Sequence, residues 1–281
     1  MYRNYIFDFY GTLADIRTDE ESPVLWKKMS EIYCALGADY SPNKLQHTFR
    51  RLERAEKENI GAVIVDSIQG KASGPFHPGD CSEAKDAYVR ETFYRDLQDA
   101  IEPDLTRVFA LLYQEKGVPC DDMQAKMTAI TFRALSRKYL RVYEGVKETL
   151  GELRRRRKRV FLLSNAQSDF TRPEIEMLGL TGYFDGIFLS SEQGWKKPSP
   201  MFFCRLLEEY HLEPSQCIMI GNDESTDMIG ARNVGMDTLY IHTAISPIEH
   251  GQVKADYKVM DGDFRKVGSL LLGRDRQRRK G

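Results

Sequence analysis

The chain has 281 residues, 41% hydrophobic and 30% charged, the balance of a soluble globular protein with material for one large core or two ordinary ones. Lysine and arginine total 41 against 42 acidic residues, so no bulk charge draws the chain to nucleic acid or to an anionic membrane. No apolar run approaches the roughly 18 residues that cross a bilayer, and Met1–Ile6 is too short and mixed for a signal peptide, with Asp8 interrupting the apolar stretch.

Tyr5-Ile-Phe-Asp8 reads as a buried strand ending in an acid, with Gly11-Thr12 as the following turn. Leu25, Met29, Ile32 and Leu36 step at helical spacing up to Gly37, and Ser41-Pro42 opens a second helix carrying Leu45, Phe49 and Leu52. The Gly/Pro-rich stretch Gly70–Asp80, which holds His77, reads as a loop. Helical spacing resumes at Leu97, Ile101, Leu105, Val108 and Leu112 and ends at Gly117. Met123, Met127, Ile130 and Ala134 predict one more helix, with that stripe as its apolar face. Residues of about 15–140 are therefore expected to be nearly all helical.

From Tyr143 the pattern alternates. Val146, Leu150 and Leu153 mark a helix and Val160–Leu163 a buried strand. Gly186–Leu189, Cys217–Ile220, Thr238–Ile241 and Asp256–Val259 follow as strands, with a helix opened by Ser199-Pro200 between two of them. Strands separated by helices predict an α/β fold with a parallel, doubly wound sheet. Ligands of such sheets lie beyond the carboxyl ends of the strands, at the switch point of the strand order.

The residues at those ends carry chemistry. Asp8–Leu13 follows the first strand, Ser164-Asn165 the second, Glu192–Pro200 the third and Gly221–Asp227 the fourth. Together they offer a carboxylate nucleophile, a hydroxyl, a lysine and a second acidic cluster. A carboxylate can attack phosphorus and form an acyl phosphate, while a cation and a hydroxyl hold the equatorial oxygens. A magnesium ion between Asp8 and the acidic cluster would lower the repulsion between carboxylate and phosphate.

These segments resemble the four motifs of the haloacid dehalogenase superfamily, in order: DxxGT at Asp8–Thr12, an apolar run ending at Ser164, GxxKPxP at Gly194–Pro200, and a glycine-acid stretch at Gly221–Ala231. The resemblance covers about the first fourteen residues and everything from Tyr143. It implies a Rossmann-like core from residues 1–14 and 143–281, with an inserted all-α cap over residues 15–142. It further implies catalytic roles for Asp8, Tyr10, Thr12, Ser164 and Lys197, and substrate contacts from Gly11, Ser164, Asn165 and Lys197. Metal contacts are implied for Asp8, the Tyr10 carbonyl, Asn222, Asp223 and Asp227. The expected cofactor is Mg²⁺ and the expected partner a small phosphorylated metabolite. Nothing in the sequence bears on oligomeric state.

Two positions depart from the family's phosphatases. Tyr10 stands where they carry a second Asp that protonates the leaving group, and a phenol with an unperturbed pKa of about 10 is a poor base at neutral pH. Tyr is the dehalogenase spelling of that position, yet Asp39 sits near the place of the halide-holding arginine and Phe203 replaces an expected tyrosine. Asn222 stands where an Asp is usual and offers a metal only a neutral carbonyl oxygen. The leading expectation is thus a Mg²⁺-dependent phosphatase working through an aspartyl phosphate. The alternatives are a 2-haloacid dehalogenase and a catalytically weak member that binds a phosphorylated ligand.

The remaining signals are plainer. Arg154–Arg159 falls at a helix end, where cations complement the dipole, and Arg274–Lys280 is a basic tail. Trp195 can pack or contact substrate, and Lys196 reads as solvated. The five cysteines, with no CxxC spacing, predict reduced thiols in a cytoplasmic protein. The five histidines show no zinc-ligand spacing.

Overall fold

The computed structural model describes residues 2–68, 99–247 and 252–277. The chain divides into two compact units. One comprises Met1–Ile16, Leu140–Asn165 and Glu174–Gly281; the other comprises Arg17–Tyr139 and Ala166–Pro173.

The first unit is built on strands β1 (Asn4–Phe7), β4 (Arg159–Ser164), β5 (Gly186–Leu189), β6 (Cys217–Gly221), β7 (Asp237–Ile241) and β8 (Tyr257–Val259). They form one sheet in the order β5-β4-β1-β6-β7-β8, and all its pairs are parallel. Every residue of β1 and β6 is buried. Such continuous burial belongs to strands covered on both faces and explains why Tyr5–Phe7 and Cys217–Ile220 run without polar alternation. The chain order reverses on either side of β1, where Phe7 pairs with Leu162 of β4 and Ile220 of β6. Asp8, Ser164 and Asn222 therefore leave three adjacent strands at the same edge, at the switch point.

Helices Val146–Arg155, Pro200–Glu209 and Phe264–Gln277 belong to this unit. The first buries Val146, Thr149, Leu150 and Leu153, one stripe at helical spacing. The second starts at Pro200, whose fixed φ suits the first helical position, and buries Phe202, Phe203, Leu206 and Leu207. The basic run is taken up locally. Arg155 and Arg156 pair with Glu152, Arg154 with Asp185, and Lys158 and Arg159 donate to the Tyr2 and Tyr210 carbonyls.

The second unit holds helices Pro23–Ala35, Pro42–Ile68, Leu105–Gln114 and Asp122–Ser136. Its core is aromatic: Trp26, Tyr33, Phe49, Phe109, Tyr113, Phe132 and Phe170 are buried together. Phe132 has ring neighbours in Trp26, Phe49, Phe109 and Phe170, at centroid distances of 5.5, 5.8, 5.2 and 6.2 Å.

Several expectations change here. Ile101 does not continue into the following helix, because Pro103 intervenes and Asp104 caps a fresh start by accepting the Thr106 N–H. Helix Asp122–Ser136 forms, but with a different face inward. Met123 and Met127 are exposed, while Ala125, Thr128, Ala129, Phe132, Arg133 and Ser136 are buried. Burying the large Phe132 outweighs burying two flexible methionines, and Arg133 goes in with it because Glu20 and the Phe170 ring receive its charge. Residues of about 15–140 are not purely helical either, since β2 (Ala14–Thr18) and β3 (Arg137–Val142) pair as a two-stranded sheet. Arg141 there clamps the buried Asp15 Oδ2 through Nε and Nη2 at 2.8 and 2.7 Å.

Residues 166–173, which follow Ser164-Asn165, also belong to the helical unit. Gln167 accepts the Leu105 N–H at 2.8 Å and donates to Glu102 and Pro103, and Asp169 takes Thr106 and Lys126. Cys34, Cys120 and Cys217 are free thiols. Loop Gly70–Asp80 (with His77), Leu97 and the last residues of the basic tail, 278–280, lie outside the described residues. Among the described residues no helix is long and apolar enough to cross a membrane.

Candidate active site

Asp8 follows β1 directly and is buried, its backbone N–H held by the Ile220 carbonyl at 2.9 Å. Its Oδ1 accepts from Lys197 Nζ at 2.7 Å and from Ser164 Oγ at 3.0 Å. Its Oδ2 lies 3.4 Å from Thr12 Oγ1. The four residues are thus joined on one carboxylate.

Lys197 is 2% exposed, and all three ammonium protons are engaged: Asp8 Oδ1, Asp227 Oδ1 at 2.6 Å and the Leu163 carbonyl at 2.9 Å. Burial is the largest influence on its pKa and works downward, but Asp227 and Asp8 together outweigh it and hold the ammonium above its ordinary value. Asp227 is 1% exposed, and burial drives its carboxyl up, only partly offset by Lys197. Its Oδ2 accepts the Asp223 N–H at 3.1 Å. A Cβ on Gly221 would stand 2.2–2.6 Å from the Asp227 side chain, so this carboxylate needs a glycine at the end of β6.

Asn165 works through the backbone. Its Oδ1 accepts the Lys197 N–H at 2.7 Å and its Nδ2 donates to the Lys197 carbonyl at 2.9 Å, so the segment after β4 fixes the lysine's peptide groups. Trp195 is buried and Lys196 is half-buried. Phe203 is fully buried, and Gly230 packs so closely on its ring that a Cβ would lie 2.3 Å away.

The turn after Asp8 folds back through Gly11 N–H to the Ala14 carbonyl at 2.8 Å, with Gly11 at φ +86°. A Cβ there would meet Asn222 at 2.3–2.8 Å, so the glycine also makes room for that amide. Asn222 is buried and accepts from Thr12 Oγ1 at 3.3 Å. Asp223 is turned away from this group. Its Oδ1 caps the next helical turn, accepting the Ser225 and Thr226 N–H groups and the Ser225 hydroxyl. Tyr10 donates its hydroxyl to Glu174 Oε2 at 2.5 Å, and its ring lies 4.7 Å from that of Phe9.

The structure thus brings Asp8, Thr12, Ser164, Lys197, Asn222 and Asp227 into one buried network. It directs the side chains of Tyr10, Asn165 and Asp223 to other partners. Three residues that support the site carry no motif: Glu174, which receives Tyr10, and Thr243 and Ser246, which follow β7. The last two stand just beyond the end of a fifth strand, the same positional signal that marks the residues after the first four.

Among the described residues no three His, Cys, Asp or Glu side chains group as a metal site. The oxygen donors nonetheless suit a hard cation. Asp8 Oδ2 and Asn222 Oδ1 both face the Thr12 hydroxyl, at 3.4 and 3.3 Å, and its single proton serves only one of them at a time. Mg²⁺ takes one or two carboxylates and keeps several waters, which one carboxylate and one amide oxygen accommodate.

The parallel sheet thus gathers a carboxylate, a hydroxyl and a buried lysine at its switch point, where ligands of α/β proteins lie. Residues 84–241, more than half the chain, match the family described as haloacid dehalogenase-like hydrolase, and the chain belongs to that family. The matched stretch contains Ser164, Lys197, Asn222 and Asp227, while Asp8 precedes it. The chain is 26% identical over 218 residues to an N-acylneuraminate-9-phosphatase of Rattus norvegicus, covering 75% of this chain and 79% of that protein. It is 30% identical over 165 residues to a phosphoserine phosphatase of Thermus thermophilus, covering 59% of this chain and 64% of that one. Among solved structures, a 2-haloacid dehalogenase from Pseudomonas syringae pv. tomato shares the fold, with a TM-score of 0.59 and 17% identity, covering 97% of this chain and all of that one.

Proposed function

We propose that the protein is a Mg²⁺-dependent phosphatase of a small phosphorylated metabolite, with Asp8 as nucleophile and the helical unit as a cap that sets specificity. The observation that carries this reading is Asp8 held by Lys197 and Ser164 through one oxygen. That grip presets the carboxylate, so attack on phosphorus needs no reorientation of the nucleophile. Asp8 attacks the phosphorus, the ester P–O bond breaks, the alcohol oxygen departs with the bonding pair and takes a proton from solvent, and an aspartyl phosphate forms. Water then attacks the same phosphorus, releasing phosphate and restoring the carboxylate. Asp227, bonded to the same ammonium, keeps Lys197 at the site.

Asp8, Asn222 and the Tyr10 carbonyl would hold the metal, which when bound offsets the negative charge shared by nucleophile and phosphate. Asp223 accepts from Ser225, and Asp227 from Lys197 and the Asp223 N–H, so either would exchange a partner to join this set. The two phosphatases to which the chain is similar support the substrate class.

Tyr10 favours a second reading, dehalogenation of a 2-halo acid, because no carboxylate stands two residues after the nucleophile. Initial rates on p-nitrophenyl phosphate and on 2-chloropropionate, with and without Mg²⁺, separate the two. The expected result is Mg²⁺-dependent phosphate release that Asp8→Asn abolishes. Metal-independent chloride release would establish the dehalogenase instead, and no turnover of either would leave a phospholigand-binding protein.

A further inference from the structure

The segment after β7 reaches both the first and the fourth motif. Thr243 is buried and donates its hydroxyl to the Gly11 carbonyl at 2.8 Å. Its N–H goes to Ser246 Oγ at 2.9 Å, and the two hydroxyl oxygens lie 3.4 Å apart. Asn222 Nδ2 lies 3.4 Å from Ser246 Oγ.

These contacts form a chain with one direction. A carbonyl oxygen only accepts, so Thr243 must donate to Gly11 and can then only accept from Ser246. Ser246, donating to Thr243, has a lone pair left for Asn222. Asn222 must therefore turn its NH₂ towards Ser246, which aims its carbonyl oxygen at Thr12 and the Asp8 side of the site. The Gly11 carbonyl thus sets the orientation of an amide that offers a cation a ligand at one end only.

We propose that Thr243 and Ser246 are positioning residues that orient the Asn222 amide for Mg²⁺, resting on the magnesium reading above. A carboxylate at position 222 would not need them, because its two oxygens are equivalent. The amide does need them, so the pair answers the exchange of an acid for an amide in the fourth motif.

Calorimetric titration of the full chain with MgCl₂ tests this without any turnover. Ser246→Ala should weaken Mg²⁺ binding roughly threefold to tenfold, the worth of one modest hydrogen bond. Thr243→Val, which breaks the same chain one link further on, should act alike, and Thr243→Ser should restore wild-type binding. In the Asn222→Asp background both losses should vanish, a non-additivity that a merely structural role does not produce. Two results overturn the proposal: equal weakening in both backgrounds, or unchanged binding in Ser246→Ala and Thr243→Val. Should one variant fail to fold, the other decides. A wild-type chain that takes up no Mg²⁺ overturns the magnesium reading itself and this inference with it, an outcome distinct from binding that ignores Ser246 and Thr243.

Discussion

The two units bury their polar groups on opposite principles. In the sheet unit, Asp8, Thr12, Ser164, Lys197, Asn222 and Asp227 are all buried at the strand ends, each tied to another of the set. In the helical unit the interior is mostly rings; the buried Arg133 and Glu56 each pair with a more exposed partner, Glu20 and Arg107, and pairs such as Arg50–Glu21 and Arg51–Glu115 sit at the surface. Burying two carboxylates and an ammonium is costly, and such groups persist only where each is paired and hydrogen-bonded. That cost brings no advantage in stability over apolar packing of similar volume. A concentration of buried charge at one sheet edge therefore marks the place where selection favoured chemistry over packing.

Asp8→Asn gives the sharpest break between the units. It should abolish hydrolysis of p-nitrophenyl phosphate, because the amide is a far weaker nucleophile of the same shape, while circular dichroism stays that of the wild type. Retention of more than a small fraction of activity would refute Asp8 as nucleophile.

Removing the cation comes next. Lys197→Met should lower turnover by a factor on the order of a hundred or more, whereas Lys196→Ala should change it little. The variant also leaves Asp8 and Asp227 buried without their partner, a loss of about 3–5 kcal/mol where a buried pair is broken. The pH dependence follows from linkage. Burial raises Asp227 even beside Lys197, so without the lysine the folded state holds a proton that the unfolded chain has released. Stability of Lys197→Met should therefore fall as pH rises from about 4 towards neutrality, more steeply than in the wild type. Melting temperatures across that range check the sign, and a variant that gains stability with pH would contradict it.

Tyr10→Asp sharpens the account of what the site lacks. The Tyr10 hydroxyl is committed to Glu174, so poor leaving groups receive no proton from a carboxylic acid at this position. Restoring one should raise turnover of alkyl phosphates more than that of aryl phosphates, with an upper bound of about 10²–10⁴, the usual worth of a general acid or base. An unchanged or lower alkyl phosphatase rate would count against that explanation.

The smallest effects test the helical unit, through stability alone. Phe132→Ala should cost about 3–5 kcal/mol by emptying the centre of the aromatic core. Met127→Ala, on the exposed face of the same helix, should stay within about 0.5 kcal/mol of wild type. Urea unfolding of both variants decides which face is buried, and a larger loss at Met127 would restore the stripe read from the sequence.

The sequence by itself determined the parallel sheet, the order of its strands along the chain and the six residues of the buried network. Each of those residues directly follows or closes a strand, or stands in a short motif with glycine or proline, so chain position alone placed it at the sheet edge. The helical unit was legible only as helices. Four apolar residues at helical spacing do not say which neighbours they meet, so Met123 and Met127 were put inside although Phe132 had the better partners. The boundary of the units was hidden too, because residues 166–173 join the helical unit through Gln167, Asp169 and Phe170, none of which carries a motif. Tertiary structure alone decided the supporting contacts of the site. Glu174 meets Tyr10 across 164 residues and Thr243 meets Gly11 across 232. Local spacing encodes hydrogen bonds that close within a turn or two, whereas these exist only once the sheet has brought distant strand ends side by side.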